Sequence, residues 1–250
     1  MRLATHVRGE GPRRVALVHG LGADGALWRG LSDRLVAAGG VTVTTVDLRG
    51  HGASDRAEDY SVRAFADDLV ETLPAGLDVV VGHSLGGSVL ERAVDRLAPA
   101  HALYLDPGFR LAIPTDGLVG RLFWATAPVG LTVAGLGQKW RSRGRPPLSP
   151  QDEELRAAAT ARFDRRMAIR VFRDVAHHPA PVAAPAVPST LVLSDDSPAV
   201  LPDATAERLE GLGWDVRRVA GVGHDFWLQD ADLTYAAVSD VLLGRRDPAR

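Results

Sequence analysis

The sequence predicts an α/β fold of three layers, a mostly parallel central sheet flanked by helices, with a helical cap inserted late in the chain. Three observations carry that prediction. Short apolar runs alternate with helix-length segments, the pattern of β-α units stacked on one sheet. The alternation lapses between Asp106 and about Pro188 and then resumes. Finally, the five residues Gly82-His83-Ser84-Leu85-Gly86 fall on a single strand-to-helix corner. At 250 residues and 46% hydrophobic, the chain can bury one full core.

Taken in order, an edge strand is expected at Leu3–Val7. Further strands follow at Arg14–Val18, Val41–Val46, Asp78–Val81, Ala102–Leu105, Thr190–Leu193 and Asp215–Val219. Helical patterns fill Ala26–Ala38, Val62–Leu73, Leu85–Leu97, Pro202–Leu212 and Leu233–Leu243. Residues 1–106 and 189–250 therefore form the core, and 107–188 the cap. Within the cap, Ser149, Pro150 and Asp152 read as a helix start: a capping hydroxyl, a proline in the first turn and an acid near the dipole. A helical pair is expected from there. Phe163, Met167, Val171 and Val175 recur at four-residue spacing and predict one apolar helix face. "PAPVAAPAVP" then gives a stiff, extended return to the sheet. Between Pro107 and Ala180 there are 12 Lys+Arg and 6 Asp+Glu, a surplus of positive charge in a chain of net −2. A solvated helix face accounts for most such surpluses; attraction of anionic substrates is the sharper reading.

Composition excludes several function classes. A net charge of −2 gives no reason to expect nucleic acid as a partner. With no cysteine, disulfides, thiolate zinc sites and cysteine nucleophiles are ruled out. The opening "MRLATHVRGEGP" lacks the apolar core of a signal peptide. The most apolar window, "LFWATAPVGLTVAGLG", is flanked by Arg121, broken by Pro128 and too short to span a bilayer. A soluble, cytoplasmic protein with no membrane partner is the expectation. Lys139 is the only lysine, which indicates GC-biased coding and says little about mechanism.

The serine corner has a physical logic. Ser84 must adopt a strained backbone to lift its oxygen clear of the sheet. Side chains two places to either side would collide with the neighbouring strand and helix, hence Gly82 and Gly86. The helix that begins there turns its N–H groups and dipole toward a nearby oxyanion.

From this point the chain resembles the α/β-hydrolase superfamily, over nearly its whole length. "VALVHGLGAD" resembles the first-strand His-Gly motif, "VDLRGHGASD" the loop after the next strand, and "GVGHDFW" the loop of the catalytic histidine. The resemblance implies Ser84 as nucleophile, His224 as base, and the N–H groups of Leu21 and Leu85 as oxyanion hole. Gly20 and Gly22 could merely turn the chain, but His19-Gly20 directly after a buried strand favours the oxyanion loop. Asp47, Arg49 and His51 are expected to brace loops, and His83 to pack beside the nucleophile. The pair His177-His178 is a poor metal site, since adjacent histidines face apart and no carboxylate cluster accompanies them.

The acid is less plain. Most of the superfamily places it after the strand that follows the cap, in a Gly-x-x-Asp-Pro pattern. Here that stretch reads "LVLSDDSPAV", with Ser197 in the acid's place and Asp195 and Asp196 a little early. An arrangement known in some small esterases puts the acid before the cap, and "HALYLDPGF" offers Asp106 there. Asp106 is preferred, Asp196 is the alternative and Asp195 stands behind both. Asp106 could also simply brace the loop before Pro107.

These residues imply a serine hydrolase acting on a small-molecule carboxylic ester or related acyl substrate, with no cofactor and no metal. A nucleophilic aspartate, as in epoxide hydrolases and dehalogenases, is excluded by Ser84. Lactone opening, C–C bond hydrolysis, acyl transfer and cofactor-free perhydrolysis use the same constellation, and a non-catalytic ligand binder is the remaining alternative. For the substrate pocket the aromatic candidates are Trp28, Phe109, Trp124 and Trp227, with Phe123 and Trp140 beside them in the cap. Aromatics in such segments more often pack the core.

Overall fold

The computed structural model of the chain describes residues 1–126 and 147–245. Seven strands form one sheet: β1 (Thr5–Arg8), β2 (Arg13–Val18), β3 (Val41–Val46), β4 (Val79–His83), β5 (His101–Leu105), β6 (Ser189–Leu193) and β7 (Asp215–Arg218). Their order is β1-β3-β2-β4-β5-β6-β7. Only the pairing of β1 with β3 is antiparallel; every other neighbour is parallel. This is the mostly parallel, helix-flanked sheet that the sequence predicts.

The strands read as near-continuous apolar runs because both faces of the sheet are covered. Side chains alternate across the sheet, so β2 sends Ala16 and Val18 to one face and Val15 and Leu17 to the other. The first face is closed by α2 (Val62–Thr72), α3 (Leu85–Leu97) and α7 (Asp203–Gly211), through residues such as Phe65, Leu90 and Leu209. The second is closed by α1 (Arg29–Ala38) and α8 (Ala231–Leu243), through Leu31, Leu35 and Val238. The helix expected at Ala26–Ala38 opens as a 3-10 turn, Gly25–Trp28, because Asp24 caps it by accepting the Ala26 N–H at 3.1 Å.

Between β5 and β6 lie α4 (Gly117–Ala125), α5 (Pro150–Arg162) and α6 (Ala168–His177). The Ser149 start is as expected: its hydroxyl accepts the Asp152 N–H at 3.1 Å, with Pro150 first in the helix. One expectation needs correcting. Phe163, Met167, Val171 and Val175 do not share one helix. The chain leaves α5 at Phe163, whose backbone is extended (φ −68°, ψ 131°). Buried Asp164 imposes the break: its N–H bonds to Gly50 O at 2.9 Å, and its carboxylate accepts the Tyr60 hydroxyl at 3.0 Å. A 3-10 turn, Arg165–Met167, then leads into α6, where Val171 and Val175 are buried as the spacing predicts.

Trp140 falls outside the described residues, as does the apolar window beyond Thr126. Among the described residues, no helix is long and apolar enough to cross a membrane.

Candidate active site

The carboxyl ends of parallel strands gather on one edge of the sheet, and in open α/β sheets ligands bind there. Ser84 follows β4 on that edge, Asp106 follows β5 beside it, and His224 lies in the loop after β7.

Ser84 sits at φ 51°, ψ −115°, a conformation that L residues rarely adopt. Its N–H bonds to Leu105 O at 3.1 Å and its carbonyl accepts the Gly108 N–H at 2.9 Å, so the corner is tied to β5 and the loop after it. The flanking glycines answer to close approach. A Cβ on Gly82 would lie 2.5 Å from Gly86 O, and one on Gly86 would lie 2.4 Å from Val18 O. Strand and helix could not meet this closely with any other residue there.

His224 bridges the other two groups. Its Nε2 is 2.9 Å from Ser84 Oγ and its Nδ1 is 3.2 Å from Asp106 Oδ2. With a carboxylate accepting at Nδ1, the proton sits there and the Nε2 lone pair faces the serine hydroxyl. Burial pulls the His224 pKa down, but the hydrogen bond to Asp106 and the charges of Asp225, Asp106 and Asp196 outweigh it and hold the group above its ordinary value.

Asp106 is fully buried and has a positive φ of 40°. It is well supplied with donors. Oδ1 accepts the Ser194 N–H at 2.8 Å and the Ser197 hydroxyl; Oδ2 accepts the Ser194 hydroxyl in addition to the imidazole. Ser197, which stands where the more common pattern has its acid, thus hydrogen-bonds the Asp106 carboxylate. The two rival aspartates hold backbone instead. Asp195 accepts the Gly221 N–H at 2.9 Å, and Asp196 accepts the His224 N–H at 3.3 Å. Both contacts shape the loop that carries His224.

The expected loop braces are also in place. His51 is buried, its Nε2 accepts the Gly22 N–H at 3.1 Å, and burial lowers its pKa to about 3. The neutral ring therefore pins the loop that carries Leu21. Asp47 accepts the N–H groups of Gly25 and Ala53, and Arg49 pairs with Asp68 at 2.6 Å. Leu85 opens α3, so its N–H has no intrahelical acceptor, and Leu21 lines the same cavity as Ser84. His83 does more than pack: its Nε2–H donates to the His224 carbonyl at 2.9 Å, while burial and then the nearby His224 lower its pKa to about 3.

Among the described aromatic candidates, Trp227 lines a cavity at Ser84. Trp28 is fully buried and stacks on Trp227 with ring centres 4.0 Å apart. Phe109 is buried against Tyr104 and Trp214. Trp124 packs on Phe123 and His177 and lines neither cavity that opens on Ser84. For Trp28 and Phe109 the sequence reading is corrected: hydrophobic burial claims both rings. The walls come instead from Leu111, Ile113, Phe163, Val171, Phe172 and Val200. The only signal for them was the apolar stripe of α6, which the sequence alone assigns to core. Among the described residues, no group of three or more His, Cys, Asp or Glu side chains could hold a metal ion.

A serine on a strand-helix corner, facing a histidine from the last loop of a mostly parallel sheet, defines the α/β-hydrolase class. The chain belongs to that family: the alpha/beta hydrolase family model matches residues 15–238. The Mycobacterium tuberculosis protein Rv2715 is 42% identical over 92 residues, which are 35% of this chain and 26% of that one. The pimeloyl-[acyl-carrier protein] methyl ester esterase of Methylococcus capsulatus is 38% identical over 103 residues, 40% of this chain and 37% of the esterase. The matches thus span well under half the length of these relatives. Among solved structures, the enol-lactonase of Burkholderia xenovorans LB400 superposes with a TM-score of 0.75 at 19% identity, covering 96% of each chain.

Proposed function

We propose that this protein is a serine hydrolase that cleaves a carboxylic ester, or a related acyl compound, through an acyl-enzyme. The observation that carries the reading is the single imidazole within hydrogen-bond range of both Ser84 Oγ, at 2.9 Å, and Asp106 Oδ2, at 3.2 Å. His224 takes the proton of Ser84 as the oxygen attacks the acyl carbonyl. The N–H groups of Leu21 and Leu85 receive the oxyanion, and His224 passes the proton to the leaving alcohol. Water, activated by the same imidazole, then releases the acid. Asp106 keeps the imidazole in the productive tautomer and offsets the charge it gains. The described residues within 107–188 serve as the cap over this site.

The relatives support an acyl substrate, since one is an ester hydrolase by name and one fold neighbour is an enol-lactonase. Lactone opening differs from ester hydrolysis only in that the leaving alcohol stays tethered to the acyl group, and it is the second reading. A fluorophosphonate probe with mass-spectrometric mapping tests both. Ser84 should carry the label, Ser84→Ala should abolish it, and a panel of p-nitrophenyl esters should be turned over. An unlabelled Ser84 in the folded protein would overturn the reading.

A further inference from the structure

Two cavities meet at Ser84, and they differ in chemistry. Leu21, Gly22, Ser84, Phe163, His224 and Asp225 line both. The first, about 500 Å3, continues over Leu111, Ile113, Val171, Phe172 and Val200, with no cationic side chain besides the shared histidine among its described lining. The second, about 530 Å3, continues past Arg156, Thr160 and Arg165.

The break between α5 and α6 makes the division. Phe163 leaves α5 extended and contributes to both cavities. Two residues on, Arg165 faces only the second, while Val171 and Val175 face only the first.

The two arginines are not equivalent. Arg156 is engaged by Glu153, its Nη2 donating to both carboxylate oxygens at 2.8 and 2.9 Å. Arg165 has no carboxylate within ion-pairing distance among the described residues. Its neighbour Asp164 is turned to the Tyr60 hydroxyl and the Arg166 N–H. Asp225, which lines both cavities, is the acid there, and it sets a limit: an anion must bind on the arginine side of the second cavity, away from it. A guanidinium offers a planar fork of donors that suits a carboxylate. Arg165 is exposed, so the interaction is worth a few-fold in binding rather than hundreds.

Resting on the serine-hydrolase reading, we propose that the second cavity is an anion subsite, in which Arg165 receives a carboxylate borne by the substrate on the side of the scissile carbonyl opposite its apolar arm. The substrate is then an ester with one apolar arm, held by the first cavity, and one carboxylate-bearing arm.

Two matched ester pairs test this by their kcat/KM ratios. Para-(carboxymethyl)phenyl hexanoate against para-ethylphenyl hexanoate puts the anion on the alcohol; mono-p-nitrophenyl adipate against p-nitrophenyl hexanoate puts it on the acyl group. In one pair the carboxylate should be favoured by about fivefold, which also tells which arm enters the second cavity. Arg165→Gln should bring that ratio to near one, and Arg165→Glu should invert it. Arg208→Gln, on the far surface of α7, should leave it where it was. Ratios near one in both pairs, or a preference that survives Arg165→Gln, would overturn the subsite while leaving the hydrolase intact. Turnover of neither ester would instead strike the hydrolase reading. The subsite would then be decided by titration with suberate, an apolar chain ending in carboxylates. Its affinity should fall about fivefold in Arg165→Gln, and an unchanged affinity would end the proposal.

Discussion

At Asp106 the sequence leaves a choice, and the carboxylate's hydrogen bond to the His224 ring supports it as the proposed acid. The pattern-based position holds Ser197, and the two acids before it were live alternatives. Asp195 and Asp196 instead accept backbone N–H groups of the histidine loop, at 2.9 and 3.3 Å. Asp106 receives Ser194, Ser197 and the imidazole itself. The serine in the acid's usual place was legible as a departure; its bond to Asp106 was not, since it joins residues 91 apart. Asp106→Asn should lower kcat by about 10⁴-fold, because an amide can donate to Nδ1 and so favour the wrong tautomer. Asp196→Asn should cost far less, and equal losses would reverse the assignment. The pH profile follows from the same contact. The base must be neutral to accept a proton, and Asp106 helps to hold the His224 pKa above its ordinary value. Activity should therefore rise with pH through an inflection above that of free histidine, about 6.5. An inflection at or below that value, in kcat/KM with a substrate that does not titrate, would contradict the geometry.

At the scale of elements, strands and core helices were legible to within a residue or two. Their signals are local: β-branched runs such as "VTVTTV", and the Ser149-Pro150 cap. The helical pair from Ser149 was expected, but the point at which α5 gives way to α6 was not legible, because Asp164 is held by Tyr60, 104 residues away. A spacing of four persists through the break and disguises it. Placement of the corner is the opposite case, since Gly86 is required by contact with backbone. The end of β2 cannot withdraw Val18 O, 2.4 Å from a would-be Cβ, without leaving its sheet partners. Gly86→Ala should destabilise the fold by about 1–3 kcal/mol and displace Ser84 as it does so. Gly211, at the end of α7, has nothing within 4 Å of its would-be Cβ and provides the contrast. Gly211→Ala should gain about 0.5–1 kcal/mol by restricting the unfolded chain. Urea unfolding midpoints check the pair, and similar shifts in the two variants would show that the close approach is not what demands glycine.

Over the whole molecule, histidine is used in two opposite ways, and pH separates them. His19, His51, His83 and His101 are held below their ordinary pKa, chiefly by burial, the middle two at about 3. The unfolded chain would protonate them near 6.5 while the fold keeps them neutral. Their stabilising contribution is therefore complete above about 6.5 and is lost as pH falls toward their folded values. Each adds a slope of about 1.4 kcal/mol per pH unit once the unfolded state is protonated. His224 acts in the other direction: with a raised pKa, its contribution is present below about 6.5 and is lost as pH rises. Four groups against one decide the sign. Carboxylates held below their ordinary pKa, such as Asp164 and Asp240, act only once pH falls toward about 4. The histidines thus dominate the window from pH 7 to 5, with Glu91, whose carboxyl is pushed up by burial, opposing them toward its lower end, and the urea midpoint should fall across it. A midpoint that stays flat or rises between pH 7 and 5 would mean that the buried rings are charged in the fold. That result would reach the site as well, because neutral His51 can accept from Gly22 and an imidazolium cannot. Because the fold keeps His51 neutral down to about pH 3, the Leu21 loop should hold its geometry in the folded protein while stability is already falling, and protonation of His224, whose pKa is the higher, silences the base first.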